Sequence, residues 1–340
     1  MADSPELNSN ELLTLTISSN GNKIADTIGV LSVTVNKAVN RIPYARIVLQ
    51  DGDLPSQKFP LSDEDVFKPG AEIKISASYN DSEDVIFQGV IVKHGIKISA
   101  PDYSRLVIEC RDPAAAMTLG RKNANYVDST DSAIISTLIG NYSGLSSEVD
   151  STSVTWKELV QYYCTDWDFL MSRAEVNGLL VVVDEGKVSV KAPQTSDPPQ
   201  LSVAYGVDLI EFDADIDART QLTSVKGTAW DPKKQTVLEG KESKPPDLNQ
   251  QGNLKLAELA QVVAPDSFRL QTSVPLEKTA LEAWSDGQQL KAGLARIRGH
   301  MKFQGNSKAK VGTLIELSGV GDRFNGNVFV STVIHEITSD

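Results

Sequence analysis

The chain has 340 residues, a net charge of −12 and 40% hydrophobic residues. It is long enough for more than one core, and too acidic to favour a phosphate backbone as partner. No apolar run reaches the roughly 18 residues of a membrane span. The two cysteines, Cys110 and Cys164, are too few for a disulfide framework and have no histidines spaced to complete a zinc site.

In chain order, the polar, acidic start Met1-Ala2-Asp3-Ser4-Pro5-Glu6 lacks the basic and apolar regions of a Sec signal, so the protein is expected to stay in the cytosol or to leave it by another route. The first hundred residues then read as β structure. Leu13, Leu15 and Ile17, Leu31, Val33 and Val35, and Ile73, Ile75, Ala77 and Tyr79 each alternate with polar residues, the period of half-buried strands. Asn20-Gly21-Asn22 and Asp51-Gly52-Asp53 are turn signals. Residues 85–98 form a longer β stretch in which Gly89 suggests a bend or bulge, and residues 105–110 close the run.

After Asp112-Pro113 the pattern changes. Ile134, Ile135, Leu138 and Ile139 predict a short helix ending at Gly140. Apolar residues at Trp156, Leu159, Val160, Tyr163, Trp167, Leu170, Met171 and Ala174 predict one long helix, with Thr155 and Glu158 as its capping box and Gly178 at C′. A hairpin turning at Asp184-Glu185-Gly186 and a Pro/Ser/Asp linker over 194–199 follow.

Residues 209–230 return to β character, ended by Asp231-Pro232. The polar stretch 239–252, with Pro245-Pro246, reads as a loop or mobile segment, and 254–263 as weakly helical. Thr279 with Glu282 predicts a second capping box, opening a helix that continues through Ala283, Leu290, Leu294 and Ile297 to Gly299. From His300 to Ile337 the chain is β again, punctuated by Gly305, Gly312, Gly319, Gly321 and Gly326.

Three stretches carry a resemblance. The first is 161–178, with Tyr163, Trp167, Asp168, Phe169, Leu170, Ala174 and Gly178. The second is the strand end Gly227-Thr228-Ala229-Trp230-Asp231. The third is 309–317 followed by Phe324-Asn325-Gly326 and His335. In order and spacing the chain resembles the hub portion of VgrG-type spike proteins and the late control D proteins of contractile phages. The resemblance implies an α+β, mainly β chain with two tube-type β-barrel domains and α+β insertions. The divisions expected are a first barrel over 1–112, an α+β insertion over 113–200, a second, split barrel over 201–235 and 299–340, and an inserted loop with helices over 236–298.

It further implies a homotrimer that joins a six-fold inner tube to a three-fold spike. The partners would be the inner tube protein above, a spike tip or OB/needle region below, and baseplate wedge proteins around, inside an assembled phage tail-like particle or secretion apparatus. Neither nucleic acid nor direct membrane binding is expected. The loops 239–252 and 319–326 are the candidates for assembly contacts. A peptidoglycan-cleaving tail enzyme and an all-β carbohydrate or cell-surface binding module are the alternatives.

The residues themselves point to no chemistry: no catalytic residue, no cofactor-binding residue, no metal ligand and no cofactor is expected. His94, His300 and His335 lack ligand spacing, and there is no GxSxG elbow or Walker A loop. Gly319-Val320-Gly321 precedes a loop rather than a phosphate-binding helix. Asp166, Asp168 and Glu175 are the carboxylates that could be imagined as catalytic, but on a helix the first two diverge by about 200°. Asp166 with Arg173, two turns apart, reads instead as packing or an ion-pair network. Lys233-Lys234 and Lys308 with Lys310 read as solvated charge.

Overall fold

A computed structural model describes residues 2–5, 13–79, 83–99, 103–263 and 267–339. Met1, Glu6 and Asp340, at the outer bounds of the terminal segments read above, lie outside them.

The first β region contains β1 (Thr14–Ser19), β2 (Asn22–Lys23), β3 (Val30–Ala38), β4 (Tyr44–Gln50), β5 (Glu72–Ser78), β6 (Val85–Ser99) and β7 (Tyr103–Arg111), with a short helix α1 (Pro60–Asp63) between β4 and β5. The alternation sets the inner face: Ile17, Val33, Val35, Ile47, Leu49, Ile73 and Ile75 are buried in one core with Phe67, Phe87 and Ile108. Asn20 and Gly21 both take positive φ, the geometry of the tight turn joining β1 to β2. The bulge falls between Ile91 and Lys93, and Gly89 is glycine because a Cβ there would meet the Arg111 carbonyl oxygen at 2.4 Å.

The middle region holds β8 (Lys122–Thr130), α2 (Asp131–Gly140), β9 (Ser146–Val149), β10 (Thr155–Cys164), α3 (Asp166–Val176), β11 (Leu180–Asp184) and β12 (Lys187–Lys191). The expected long helix is half strand. Trp156, Leu159, Val160 and Tyr163 lie on β10, antiparallel to β8, and only Trp167, Leu170, Met171 and Ala174 are helical. The capping box is therefore not Thr155 with Glu158. Thr165 is the N-cap: its Oγ1 accepts from the Asp168 N–H at 3.0 Å and donates to the Asp168 carboxylate at 2.7 Å.

Gly178 ends α3 as expected. At φ +66 it donates to the Glu175 carbonyl, and Leu179 donates to the Ala174 carbonyl. The buried faces of α2 and α3 pack Ile134, Ile135, Leu138, Trp167, Phe169 and Leu170 against Val181, Val183, Val188 and Val190 of the β11–β12–β9 sheet.

The last region holds β13 (Leu201–Ala204), β14 (Leu209–Ile216), β15 (Val225–Asp231), β16 (Thr236–Glu239), α4 (Leu256–Val263), β17 (Phe268–Thr272), α5 (Lys278–Leu294), β18 (Ile297–Phe303), β19 (Leu314–Ser318), β20 (Gly326–Phe329) and β21 (Thr332–Thr338). The α5 helix has no capping box: Glu277 is its N-cap without a side-chain bond, and Glu282 accepts from the Lys241 N–H at 3.1 Å instead. The helix stops at Leu294, short of the expected Gly299. Gly299 is inside β18 opposite Ala214, where a Cβ would meet the Asp213 carbonyl at 2.2 Å.

Two connections tie the chain ends across the molecule. Strand β21 does not join the C-terminal sheets; it pairs with β3 from Thr332↔Ala38 to Thr338↔Ser32, completing the order β2-β1-β5-β6-β7-β4-β3-β21. Among the described residues this ladder is open, with β2 and β21 at its ends. At the other terminus Asp3 bridges Leu201 of β13 in parallel, and its carbonyl accepts from the Ser202 N–H at 2.9 Å. The remaining C-terminal strands form the β13–β19–β20, β14–β18 and β16–β15–β17 sheets, the last packed on α5.

Candidate functional site

Two buried aspartates organise the middle region. Asp166, the first residue of α3, accepts from Gln161 Nε2 at 2.8 Å, Lys122 Nζ at 2.6 Å and Tyr142 Oη at 2.7 Å. Burial alone would raise its carboxyl, but the bonds from Gln161, Lys122 and Tyr142 outweigh this and hold it below the ordinary value. Asp131, the first residue of α2, accepts from Arg173 Nε at 2.6 Å, Arg173 Nη2 at 3.1 Å and Asn177 Nδ2 at 2.8 Å. Each carboxylate also sits at the positive end of its helix.

The expected Asp166–Arg173 pairing is thus replaced by two separate clusters, because Asp166 faces the β8–β10 ribbon while Arg173 faces α2 and lies over the Trp156 ring at 4.7 Å. Asp168 is taken up in the N-cap, and Glu175 pairs with Lys291 of α5. The three carboxylates singled out above are therefore divided among three structural tasks.

Between the first sheet, the α3–α5 pair and β18 lies a cleft of about 1580 Å³. Met171, Leu290, Met301, Phe303, Val333 and Ile337 make its walls largely apolar, and His300 and His335 both reach it. Burial, with Lys37 adding to it, pushes the His335 imidazole down to about 4, so it is neutral near pH 7. Among the described residues neither histidine hydrogen-bonds to a hydroxyl or a carboxylate, the pairing that would make it a base.

His94 stands elsewhere. Its Nδ1 faces the Phe67 carbonyl and its Nε2 the Ser62 hydroxyl, each at 2.8 Å, so the ring carries its proton on Nδ1 and accepts from Ser62. This contact fixes α1 and the turn after it to β6. Spacing along the chain gave no sign of it, since Ser62 and His94 are on different elements. Asp51 completes the arrangement by accepting from the Gly52, Leu61 and Ser62 N–H groups.

Cys110 is buried and desolvation pushes its thiol up to about 12; Cys164 is half-buried and its thiol is also raised by burial. Gly319 and Gly321 take positive φ in the loop between β19 and β20, which Asn325 Oδ1 closes by accepting from the Val320 N–H at 2.9 Å; no helix follows.

The 239–252 stretch is not a free loop. Ser243 pairs with Val225, and Arg296 Nη2 donates to the carbonyls of Asn249 at 2.7 Å and Gln251 at 3.0 Å. Asn249 and Gln251 are buried. Among the described residues no three His, Cys, Asp or Glu side chains come together in a way that could hold a metal ion, and no helix is long and apolar enough to cross a membrane.

The whole fold has counterparts among solved structures. The 43 kDa tail protein of prophage MuSo2 from Shewanella oneidensis superposes with a TM-score of 0.68 at 9% identity, over 96% of this chain and 95% of that one. A tail protein from Neisseria meningitidis MC58 gives 0.67 at 11% identity, over 96% and 92%. The Escherichia coli c3393 protein, a type VI secretion component structurally similar to the T4 bacteriophage tail proteins gp27 and gp5, gives 0.56 at 12% identity, over 95% and 73%. The fold is therefore a phage tail protein fold. No curated protein matches in sequence. A family model described as the Alg8 N-terminal domain matches residues 9–339.

Proposed function

The chain belongs to the Alg8 N-terminal domain family, and from its fold we propose that it is a structural baseplate hub part of a phage tail-like contractile injection system. The observation that carries this reading is a likeness to the MuSo2 tail protein spanning 96% of this chain and 95% of that one. Shared fold at 9% identity leaves the task to be argued from the residues. These favour a mechanical part, since the chemically suggestive side chains are taken up in capping, ion pairing and packing.

In this reading the protein is a homotrimer that joins a six-fold inner tube to a three-fold spike. The β regions at 1–112 and at 201–235 with 299–340 serve as tube-type units. The segments 113–200 and 236–298 are insertions between them. The inner tube protein, the spike tip or OB/needle region and the baseplate wedge proteins are its neighbours in the particle. The residues at 319–326 offer a rim loop for such contacts.

The test is removal of the gene from the producing cell, with electron microscopy of the particles and a tagged copy to locate the protein. Baseplates should fail to form, and the tag should sit at the tube–spike junction. Complete, functional particles without the protein would sink the reading. The trimer has its own readout, a solution mass near three times 36.8 kDa.

A further inference from the structure

We propose that Ser62 is an acylation site, a hydroxyl activated by His94 to take an acyl group from an activated ester. Ser62 Oγ lies 2.8 Å from His94 Nε2, and His94 Nδ1 lies 2.8 Å from the Phe67 carbonyl oxygen. A carbonyl oxygen can only accept, so it fixes the imidazole proton on Nδ1. Nε2 keeps its lone pair towards the hydroxyl, the tautomer that a general base needs. Nucleophile, base and orienting acceptor thus stand in sequence, the arrangement that activates a serine for covalent chemistry. They come from separate pieces of chain: Ser62 from α1, Phe67 from the turn after it and His94 from β6. Ser62 and His94 are both half-buried, held by packing yet open to solvent.

The face around the pair sets the substrate class. On β6, His94, Ile96 and Ile98 point to one side, opposite Ile108, Leu106 and Ser104 of β7. Ile108 and Leu106 are buried in the core, whereas Ile96 is 42% exposed and Ile98 70%. Ile96 lies roughly 7 Å along the strand from His94, within reach of a medium-length acyl chain. An apolar strip that begins at the base favours an ester whose acyl group is apolar.

The step balances on these atoms. Ser62 Oγ bonds to the acyl carbon as the bond from that carbon to the leaving oxygen breaks. The hydroxyl proton passes to His94 Nε2 and from there to the departing oxygen, and nothing is oxidised or reduced. The N–H groups of Leu61 and Ser62, at the nucleophile itself, are bound to the Asp51 carboxylate and do not serve an oxyanion. An ester with a poor leaving group therefore does not react, and the ester formed on Ser62 is slow to hydrolyse. The site is modified once instead of turning over, which is compatible with the mechanical reading and independent of it.

The probes are p-nitrophenyl acetate and p-nitrophenyl octanoate on the full chain. Nitrophenolate release is followed by absorbance, and peptide mass spectrometry of the wild type maps the modified residue. A burst of one nitrophenolate per chain without steady release is expected, with the acyl group on Ser62. Folded Ser62→Ala should give no burst, and folded His94→Gln should react about a hundredfold more slowly, the low end of general-base catalysis. Octanoate should react about tenfold faster than acetate, the gain from burying roughly two methylenes, and Ile96→Ser should remove that preference. The mapping needs no variant: no acylation at all, or acyl groups on lysines and tyrosines with Ser62 unmodified, would overturn the assignment. So would a burst that survives in folded Ser62→Ala, or a folded His94→Gln that reacts at the wild-type rate. Equal wild-type rates for the two esters would overturn the apolar substrate class. None of these results bears on particle assembly, which decides the tail-part reading separately.

Discussion

Gly178 and Gly287 meet backbone to backbone: a Cβ on Gly287 would lie 2.9 Å from the Gly178 nitrogen, and one on Gly178 would lie 3.0 Å from the Gly287 Cα. This contact is where α3 ends against the middle of α5. A glycine inside a helix costs about 1 kcal/mol relative to alanine, so its presence in α5 reflects the close approach. Gly287→Ala should destabilise by roughly 1–3 kcal/mol through overpacking despite the gain in helix propensity. Gly140→Ala, where a Cβ would meet nothing within 4 Å, is the control and should change stability little. Denaturant unfolding of both variants checks the pair.

The start of α3 separates two assignments of the helix boundary. Thr165→Ala should cost about 1 kcal/mol, the usual loss of an N-cap. Thr155→Ala should show no capping loss, because Thr155 opens a strand. Trp167→Ala, removing an indole that is 8% exposed, should cost about 3–5 kcal/mol. A cap-sized loss at Thr155 and none at Thr165 would refute the boundary.

Asp166→Ala should destabilise by on the order of 3 kcal/mol, because Gln161, Lys122 and Tyr142 lose a shared buried acceptor. Its folded-state carboxyl lies below the unfolded value, so the stability it contributes is present above the unfolded pKa and is lost as pH falls through the folded one. Acid unfolding followed in wild type and Asp166→Asn should show a shallower acid limb in the variant.

His335 has the same sign from the opposite chemistry. Burial holds the folded imidazole down to about 4, against 6.5 for a solvated one. As pH drops between these values the unfolded chain takes up a proton that the folded chain refuses. Stability should therefore be full above about pH 6.5 and decline towards pH 4, by on the order of 3 kcal/mol if the whole shift is expressed. His335→Gln should flatten that window; an unchanged slope would show that the imidazole is not desolvated.

Removing 239–252 should destabilise the last region. It strips Arg296, whose own charge is disfavoured by burial, of its two carbonyl acceptors. Thermal melting of the deletion should fall well below wild type, and an unchanged melting temperature would mean that the stretch is dispensable.

These features divide by how local their cause is. The alternation of Val33 and Val35 or of Ile73 and Ile75, the Glu185-Gly186 turn with both φ positive and the Gly178 cap each follow from a few adjacent residues, and each was legible. Trp156, Leu159, Val160 and Tyr163 fit helical spacing equally well. They are a strand because β8 lies beside them, and β8, reading Lys-Asn-Ala-Asn-Tyr-Val-Asp-Ser-Thr, has no apolar alternation to announce itself. The Ser62–His94 contact and the division of Asp166, Asp131 and Arg173 into two clusters depend on tertiary neighbours in the same way. So does the pairing of β21 with β3.

That last pairing bears on how the protein is made. During synthesis β3 emerges early, and the strand that covers its free edge follows only after the middle region and most of the last one. Until then the nascent chain carries an open ladder of unpaired amides, a template for pairing with any other extended chain. The first sheet can be finished only once β21 has cleared the ribosome. A product cut short before β21 would retain that sticky edge, so its fate should be aggregation or proteolysis rather than entry into a particle as a defective part.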